Sequence, residues 1–320
     1  MRLSIVATLY KSEEYLQEFH RRAMTVASSL AGDDYEIILV NDGSPDNSLD
    51  SAIALTERYA HLTVIDLSRN FGHHKAMMTG LAAASGDQVF LIDSDLEEEP
   101  EWLLDFERKM REEGSDVVYG VQMRRRGGSF ERITGGIFYK AFRFLTGIAQ
   151  PDNIVTARLM TRRYVNALVS HRERELNIGG LWVITGFKQS QRYITKHSTS
   201  PTTYTLRKKF SHLVNAVTSF SSLPLVLTFY AGLLISLSAT AFIAYLAFLY
   251  FFVSTPPGGY TSIIASIWLF SGLIIFFVGM QGIYIAKIFS EVKQRPYTIV
   301  RQIYKSHQSL DLNEVTPRQQ

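Results

Sequence analysis

Short apolar runs alternate with amphipathic segments over the N-terminal part of the chain. The apolar runs predict β-strands at Leu3–Leu9, Tyr35–Val40, Leu62–Leu67, Gln88–Ile92 and Asp116–Tyr119. Between these runs, apolar residues recur with helical spacing and predict helices at Glu13–Leu30, Leu49–Tyr59, Lys75–Ala84 and Glu101–Glu113. Strands that alternate with helices are typical of an α/β fold with a mostly parallel, Rossmann-like sheet. In such sheets ligands bind at the carboxyl ends of the strands.

Two much longer apolar runs follow, at roughly Leu225–Val253 and Ile263–Ala286. No Asp, Glu, Lys or Arg occurs between Phe210 and Ala286, and each run is long enough to span a membrane as a helix. Basic residues flank the pair: Arg207, Lys208 and Lys209 before it, and Lys287, Lys293, Arg295, Arg301 and Lys305 after it. By the positive-inside rule, we expect a multi-pass protein of the cytoplasmic (inner) membrane, with both termini and the α/β domain in the cytoplasm. A buried helical hairpin in a soluble domain is the alternative, and the long uncharged stretch disfavours it.

Amphipathic segments border this apolar pair. Leu206–Leu223 carries apolar residues on one face behind a basic start, which predicts a helix in the membrane interface. Ile288–Tyr304 repeats the pattern with a break at Pro296, and a helix packed on the α/β domain is its alternative interpretation. Phe130–Leu145 is amphipathic and aromatic-rich, and is expected either to pack on the domain or to rest on a membrane surface. The predicted organisation is an α/β domain at 1–205, a juxtamembrane helix at 206–223, a two-helix hairpin at 224–287 and a cytoplasmic amphipathic tail at 288–320.

Composition narrows the function mainly by exclusion. The formal net charge of +3 is too small to indicate a nucleic-acid partner. The chain has no cysteine, which excludes disulfides and cysteine-ligated zinc. The N-terminal sequence lacks the long apolar region and cleavage site of a signal peptide, and is interpreted as the first strand instead.

An acidic motif, Asp93-Ser94-Asp95, follows the fourth predicted strand. Two carboxylates at the carboxyl end of a buried strand suit a hard divalent cation such as Mg²⁺ or Mn²⁺, which binds oxygen ligands and bridges a diphosphate. Glu97 is a candidate third oxygen ligand. The alternative is an acidic loop that caps the helix beginning near Glu101, where the helix dipole favours negative charge.

Polar motifs also follow the second and third strands. Asn41-Asp42-Gly43-Ser44 is a turn signal, and an ordinary turn is its simplest interpretation. Arg69–Ala76 (RNFGHHKA) combines a helix N-terminus with cationic side chains, which suits phosphate binding. Neither His73 nor His74 has metal-ligand spacing to other residues, so no zinc site is predicted.

Taken together, these motifs resemble family-2 glycosyltransferases of the GT-A fold, in particular the group of dolichol-phosphate mannose synthases and bactoprenol-phosphate glucosyltransferases. The counterparts of the family motifs are Thr8–Glu13, Val40–Ser44, Arg69–His73, Asp93–Glu101, Tyr119–Val121 with Arg125, Arg158–Met160, Ser219–Ser221 with Pro224-Leu225, and Glu291–Pro296. The resemblance covers roughly residues 3–300, and two spanning helices after the catalytic domain belong to the same pattern.

The resemblance implies roles for individual residues. Asp42 would bind the base or ribose of a nucleotide-sugar donor, in a site shared with Thr8, Leu9, Tyr10, Glu13, Arg69, Lys75 and Ser94. Asp93 and Asp95 would hold the diphosphate through Mg²⁺ or Mn²⁺, with Glu97 in place of the family's metal-binding Gln. Arg125 and Arg158 would contact phosphates of donor or acceptor. The membrane-proximal Arg207, Lys208 and Lys209 would bind a lipid phosphate.

The chain departs from the family pattern at the acceptor end of the site. Thr156 occupies the position of the family's Asp in G-D-F-R-L-M, Thr203 that of its juxtamembrane Lys, and Gln122 that of the first Arg of its Y-G-V-R motif. A lipid phosphate is already ionised at neutral pH and needs no general base, so the loss of that Asp is compatible with a phosphate acceptor.

The resemblance therefore implies an inverting hexosyltransferase that moves a sugar, with UDP-sugars as the common donors, to polyprenyl (undecaprenyl) phosphate for cell-surface glycans such as lipopolysaccharide or O-antigen. A homo-oligomer is expected, with a tetramer as one form. Two alternatives stay open. One is a transferase that extends a lipid-linked glycan with Asp152, Glu173 or Glu175 as base, and the other is a catalytically inactive membrane scaffold.

Overall fold

The structure is a computed structural model that describes residues 2–122, 153–171, 173, 178–195, 217–218, 221–252 and 259–306. The described residues before 204, together with those from 295 onward, form one compact unit, and residues 217–294 belong to a second. The predicted segment Phe130–Leu145 and most of Leu206–Leu223 lie outside the described residues, as do Arg125, Arg207, Lys208, Lys209 and Thr203.

The first unit is built around one eight-stranded sheet. Its strands are β1 Leu3–Leu9, β2 Tyr35–Asn41, β3 Leu62–Leu67, β4 Gln88–Asp93, β5 Val117–Gln122, β6 Ile154–Thr161, β7 Gln189–Ile194 and β8 Val300–Lys305. The helices of this unit are α1 Glu13–Ala31, α2 Ser48–Arg58, α3 His73–Ala83, α4 Trp102–Glu113, α5 Arg162–Ser170 and α6 Ile178–Ile184. The strands and helices predicted over the first 120 residues or so are confirmed, with ends that differ by a few residues at most.

The strand order is β7-β5-β6-β4-β1-β2-β3-β8. The central strands β4, β1, β2 and β3 run parallel, because each is connected to the next by a crossover helix. In this register Thr8 of β1 lies beside Asp93 of β4 and beside Val40 of β2. The polar segments that follow these strands therefore meet at one edge of the sheet. Strands β6 and β8 pair antiparallel to their neighbours.

The core lies on both faces of this sheet. All seven residues of β1 are buried, as expected for a central strand covered by helices on both sides. Helix α1 packs its predicted stripe of Leu16, Phe19, Ala23 and Val26 into the core. Helix α3 approaches the sheet closely at Gly80, where an added Cβ would lie 2.5 Å from the Val6 side chain of β1.

The segment after the apolar helices differs from its predicted form. Residues 300–304 were expected within an amphipathic helix that ends at Tyr304, but they belong to β8, Val300–Lys305, which hydrogen-bonds to β3 at the edge of the sheet. That prediction is wrong for these residues. A bare β3 would present unpaired backbone groups at an open edge, and pairing with β8 satisfies them. The basic, amphipathic pattern does not by itself separate a short edge strand from an interfacial helix.

The second unit contains two long helices, α7 Leu223–Phe252 and α8 Tyr260–Val292. Among the described residues, one helical segment, Ser266–Val292, has both the length and the mean hydropathy, 2.0, of a membrane span. Helix α7 has 30 residues and carries no charged side chain. The number of spanning helices, the domain boundaries and the cytoplasmic orientation remain predictions.

Candidate active site

The carboxyl ends of β1, β2 and β4 gather most of the residues predicted to bind a donor. Thr8 lies near the end of β1, Asp42 follows β2, and Asp93 is the last residue of β4. The helix α3 begins at His73, at the same edge of the sheet. The parallel register thus brings together side chains that are far apart in the sequence.

Asp42 is held by the loop that follows β3. Its side chain is 3% exposed and accepts hydrogen bonds from the backbone N–H of Phe71, at 2.7 Å, and of Gly72, at 3.1 Å. Burial raises the pKa of Asp42 above its usual value, and these two backbone donors partly offset the increase. Asp42 is therefore a fixed acceptor at this edge rather than part of an ordinary solvent-exposed turn.

Gly43 explains why the turn lies so close to that loop. Its φ of 59° is in the left-handed region, and an added Cβ would lie 2.5 Å from the backbone nitrogen of Asn70. Only glycine fits both the conformation and the space. The sequence Asn41-Asp42-Gly43-Ser44 therefore packs directly against the residues between β3 and α3.

His73 joins two of the predicted site residues. Its Nδ1 lies 3.0 Å from Thr8 Oγ1, and its Nε2 lies 3.2 Å from Asp93 Oδ1. The imidazole is about half exposed, whereas Asp93 is largely buried. Sequence reasoning missed this contact. The available signal was the position of His73 at the first turn of a helix that follows a strand of the same parallel sheet.

Asp95 and Glu97 belong to the loop after β4. The carboxylate of Asp95 accepts a hydrogen bond of 3.0 Å from the backbone N–H of Glu97, so the two residues share a tight turn. No group of three or more His, Asp or Glu side chains in the part of the chain that the structure describes is arranged to hold a metal ion by itself.

The donor set at this loop nevertheless fits a hard cation. Mg²⁺ and similar ions are commonly bound by one or two carboxylates while phosphate oxygens of the substrate and water complete the coordination. Asp93 and Asp95 supply such oxygens at the end of a buried strand, and Glu97 follows two residues later. These residues suit a cation that is shared with a bound diphosphate better than one that is enclosed by the protein.

Other predicted donor-site residues have structural contacts at the same edge. Ser94 is buried and donates to the carbonyl oxygen of Thr8 at 2.7 Å, which ties the ends of β4 and β1 together. The side chain of Leu9 is fully buried in the core, so only its backbone is available at the edge. Tyr10 is half exposed beside it. Glu13 accepts a hydrogen bond of 3.2 Å from the side chain of Asn47.

The predicted cations of the donor site lie on the loop and helix after β3. The guanidinium of Arg69 is exposed and stacks on the ring of Phe71, with 4.2 Å to the ring centroid. Lys75 lies in the first turn of α3, two residues after His73. Arg69 lies within the loop that donates to Asp42, and Lys75 follows this loop in α3.

Arg158 was predicted to contact phosphate, and the structure buries it. The side chain is 1% exposed, stacks on the ring of Trp182 and donates to the carbonyl oxygen of Thr156 at 3.2 Å. Burial lowers the pKa of Arg158 to about 9, although the nearby hydroxyl of Tyr164 and carboxylate of Glu98 favour its charged form. In this conformation Trp182 covers the guanidinium, so phosphate contact by Arg158 stays a prediction.

A buried carboxylate lies beside Thr156, where the family pattern has an Asp. Glu98 is fully buried, and its Oε1 accepts a hydrogen bond of 3.0 Å from the backbone N–H of Thr156. Sequence analysis treated Glu98 only as part of an acidic loop. The antiparallel pairing of β4 with β6 brings the loop after β4 next to Thr156, which sequence separation does not reveal.

An α/β sheet of this order, with carboxylates at the carboxyl ends of its parallel strands, defines a GT-A-like fold. Residues 4–169 match the family described as "Glycosyl transferase family 2". A protein of Mycobacterium tuberculosis (strain CDC 1551 / Oshkosh) that is named among the glycosyltransferases is 50% identical over 306 residues, which cover 96% of this chain and 89% of that protein. The chain belongs to glycosyltransferase family 2 and is a transferase.

Two further similarities concern a transferase named for undecaprenyl phosphate and a solved structure. The undecaprenyl-phosphate 4-deoxy-4-formamido-L-arabinose transferase of Yersinia enterocolitica is 29% identical over 321 residues, covering 98% of this chain and 97% of that enzyme. The crystal structure of glucosyl-3-phosphoglycerate synthase from Mycobacterium tuberculosis, in complex with Mn²⁺, UDP-glucose and phosphoglyceric acid, is 19% identical. It covers 68% of this chain and 79% of that one, with a TM-score of 0.45.

Proposed function

We propose that this chain transfers a sugar from a nucleotide-sugar donor, with UDP-sugars as the first choice, to polyprenyl phosphate at the cytoplasmic face of a membrane. The observation that carries the proposal is the acidic edge of the sheet, where Asp93 ends one parallel strand and Asp42 and Asp95 follow parallel strands of a family-2 glycosyltransferase. The product is a polyprenyl-phosphate sugar for cell-surface glycans.

The donor half of the proposal rests on the geometry of this edge. Asp42 is oriented by two backbone N–H groups and is suited to accept a hydrogen bond from the base or ribose. Asp93 and Asp95 are suited to hold Mg²⁺ or Mn²⁺, which would neutralise charge on the departing nucleotide diphosphate. Arg69 and Lys75 add positive charge beside the helix N-terminus, where phosphate binds favourably.

The acceptor half rests on the relative that acts on undecaprenyl phosphate and on the long apolar helices. That enzyme matches nearly the whole length of this chain, including the apolar part. We infer that α7 and α8 span the membrane, that both termini face the cytoplasm, and that Arg207, Lys208 and Lys209 bind the lipid phosphate with Arg125. Assembly into a homo-oligomer such as a tetramer is part of the same proposal.

The reaction proposed is a single displacement at the anomeric carbon. A phosphate oxygen of the lipid attacks this carbon, the bond to the nucleotide diphosphate breaks, and the configuration inverts. Because the nucleophile is already ionised, Thr156 does not need to act as a base, although it occupies the position of the family's Asp. Holding the lipid headgroup beside the donor supplies proximity.

A panel of donors tests the proposal. The purified full chain is incubated in detergent with undecaprenyl phosphate, Mg²⁺ or Mn²⁺, and each of several UDP- and GDP-sugars, and the lipid product is weighed by mass spectrometry. We expect one donor class to yield the lipid monophosphate sugar. Transfer only to a lipid-diphosphate glycan would replace the proposed acceptor, and no transfer from any donor would contradict the proposal.

A pair of variants tests the roles of the site residues. Asp95→Ala is expected to abolish metal-dependent turnover, whereas Thr156→Ala is expected to leave it nearly unchanged. Asp33→Ala is the matched control, because this exposed carboxylate lies in the loop before β2, at the amino end of a strand whose carboxyl end carries the site. If Thr156→Ala abolishes turnover while nucleotide binding survives, the unassisted attack by phosphate is wrong.

A further inference from the structure

The strand β8 carries an irregularity at Arg301. Asp66 of β3 pairs with Gln302, but Leu67 pairs with Val300, so Arg301 is an extra residue in the ladder. Such β-bulges occur preferentially at sheet edges and near active sites, where they redirect a side chain. Here the bulge lies opposite the carboxyl end of β3. The strand β3 alone separates it from β2, which leads into the turn that carries Asp42.

The side chain of Arg301 holds two groups of the segment that leads into the donor site. One guanidinium nitrogen lies 3.2 Å from Asp66 Oδ2, and another donates to the carbonyl oxygen of Ser68 at 2.6 Å. The backbone N–H of Ser68 in turn donates to the carbonyl oxygen of Ile299 at 2.9 Å. Residues 299–301 therefore hold both backbone groups of Ser68, its N–H and its carbonyl, at the start of the loop between β3 and α3.

Asp66 connects Arg301 to the turn after β2. Its side chain is 1% exposed, and a buried carboxylate is costly unless it is paired. The other carboxylate oxygen accepts a hydrogen bond of 2.8 Å from the side-chain amide of Asn41. The Asn41 side-chain oxygen then accepts the backbone N–H of Ser44 at 3.2 Å, which closes the turn around Asp42.

The same loop also reaches Asp42 directly. After Ser68, the chain passes against Gly43 and then donates the Phe71 and Gly72 N–H groups to the Asp42 carboxylate. Two connected paths thus run from Arg301 to Asp42, one through the Asp66 and Asn41 side chains and one through the loop backbone.

We propose that Arg301 is a positioning residue for the nucleotide-binding turn, and that the strand following the last apolar helix is part of the donor site. The role assigned to Arg301 involves no contact with the donor itself. It acts by pairing with Asp66, which orients Asn41, and by anchoring the loop that donates to Asp42. The assignment of the turn to a nucleotide rests on the proposed function. The contacts by which Arg301 holds Asp66 and Ser68 do not depend on it.

Hydrogen–deuterium exchange of the purified full chain, without any ligand, tests whether Arg301 stabilises the turn and the loop. In Arg301→Gln, amides of residues 66–73 and 41–44 are expected to exchange about tenfold faster, because the ion pair with the buried Asp66 carboxylate and the hydrogen bond to the Ser68 carbonyl are lost. Peptides from β1 and β4 are expected to keep their wild-type exchange. The matched control is Lys305→Gln, which removes one positive charge from an exposed position of the same strand.

Nucleotide binding supplies the functional readout. Titration calorimetry with UDP and with GDP, each with Mg²⁺, is expected to show an affinity about tenfold lower for Arg301→Gln and unchanged for Lys305→Gln. Arg301→Lys is expected to be intermediate, because an ammonium group can pair with Asp66 but lacks the second, fixed nitrogen that donates to the Ser68 carbonyl.

Three outcomes decide the proposal. Wild-type exchange in the Arg301→Gln variant, or faster exchange spread evenly over β1 and β4, would overturn it. If the wild-type chain binds UDP or GDP, and Arg301→Gln exchanges faster near the turn but keeps the wild-type affinity, the role of Arg301 in the donor site would be overturned. If the wild-type chain binds neither nucleotide, the donor half of the proposed function fails. The exchange pattern still decides whether Arg301 stabilises the turn around Asp42.

Discussion

Acid should destabilise the α/β unit through a buried histidine far from the proposed active site. His20 of α1 is 2% exposed, its Nε2 lies 3.2 Å from His61 Nε2, and its ring packs 4.5 Å from that of Tyr59. Burial, and secondarily the proximity of His61, lowers the pKa of His20 from 6.5 to about 4. The folded protein therefore keeps this imidazole neutral at pH values where the unfolded chain protonates it.

The sign and size of the effect follow from this difference. Between pH 6.5 and about 4 the unfolded state binds more protons, so the free energy of unfolding falls as the pH falls. The full shift corresponds to a loss of about 3 kcal/mol, since each pKa unit is worth about 1.4 kcal/mol. No loss occurs above pH 6.5, and the loss is complete below about pH 4. Burial also lowers the pKa of His61, which adds to the same slope.

Thermal unfolding between pH 4 and pH 7, in detergent and followed by intrinsic fluorescence, measures this slope. His20→Phe keeps an aromatic ring beside Tyr59 and removes the titrating group, so its profile should be flatter than that of the wild type. His61→Gln should retain most of the slope, because burial is the main cause of the shift at His20. Equal slopes for wild type and His20→Phe would refute the reasoning.

Three substitutions test packing at and near the site. Gly43→Ala is expected to weaken UDP or GDP binding about tenfold in calorimetry, because the new Cβ would approach loop backbone atoms to 2.5 Å at a φ of 59°; unchanged affinity would contradict this. Gly80→Ala is expected to lower the free energy of unfolding by about 1–2 kcal/mol in urea titrations, since overpacking against the valines of β1 and β2 outweighs the gain in helix propensity. Trp182→Ala should cost about 3 kcal/mol in the same assay and uncover Arg158, and a stability equal to wild type would argue against the stacked arrangement.

Much of the fold followed from local pattern. The periodicity of apolar residues identified the strands β1 to β4 and their crossover helices, because each has to bury one side or both against the same core. The positions of Asp42 and of Asp93-Ser94-Asp95 directly after apolar strands also predicted that these carboxylates would share one edge of the sheet. That inference needed only the rule that parallel strands end together.

The partners of these residues were not predictable in the same way. His73 meets Asp93, Glu98 meets Thr156, and Trp182 covers Arg158 because the order of strands in the sheet brings distant segments side by side. No local preference encodes that order. The basic, amphipathic pattern after Val292 was interpreted as an interfacial helix, although part of it forms the edge strand β8. Charge and amphipathicity are common to interfacial helices and edge strands, so they do not separate the two.

Neighbours along the chain were enough to predict which segments are apolar, which of them alternate as strands and helices, and where carboxylates follow a strand. The pairing of β8 with β3, which brings Arg301 to Asp66, depended instead on the folded arrangement. An open sheet edge can be satisfied by any strand that reaches it, so the path of the whole chain selects the strand that pairs there.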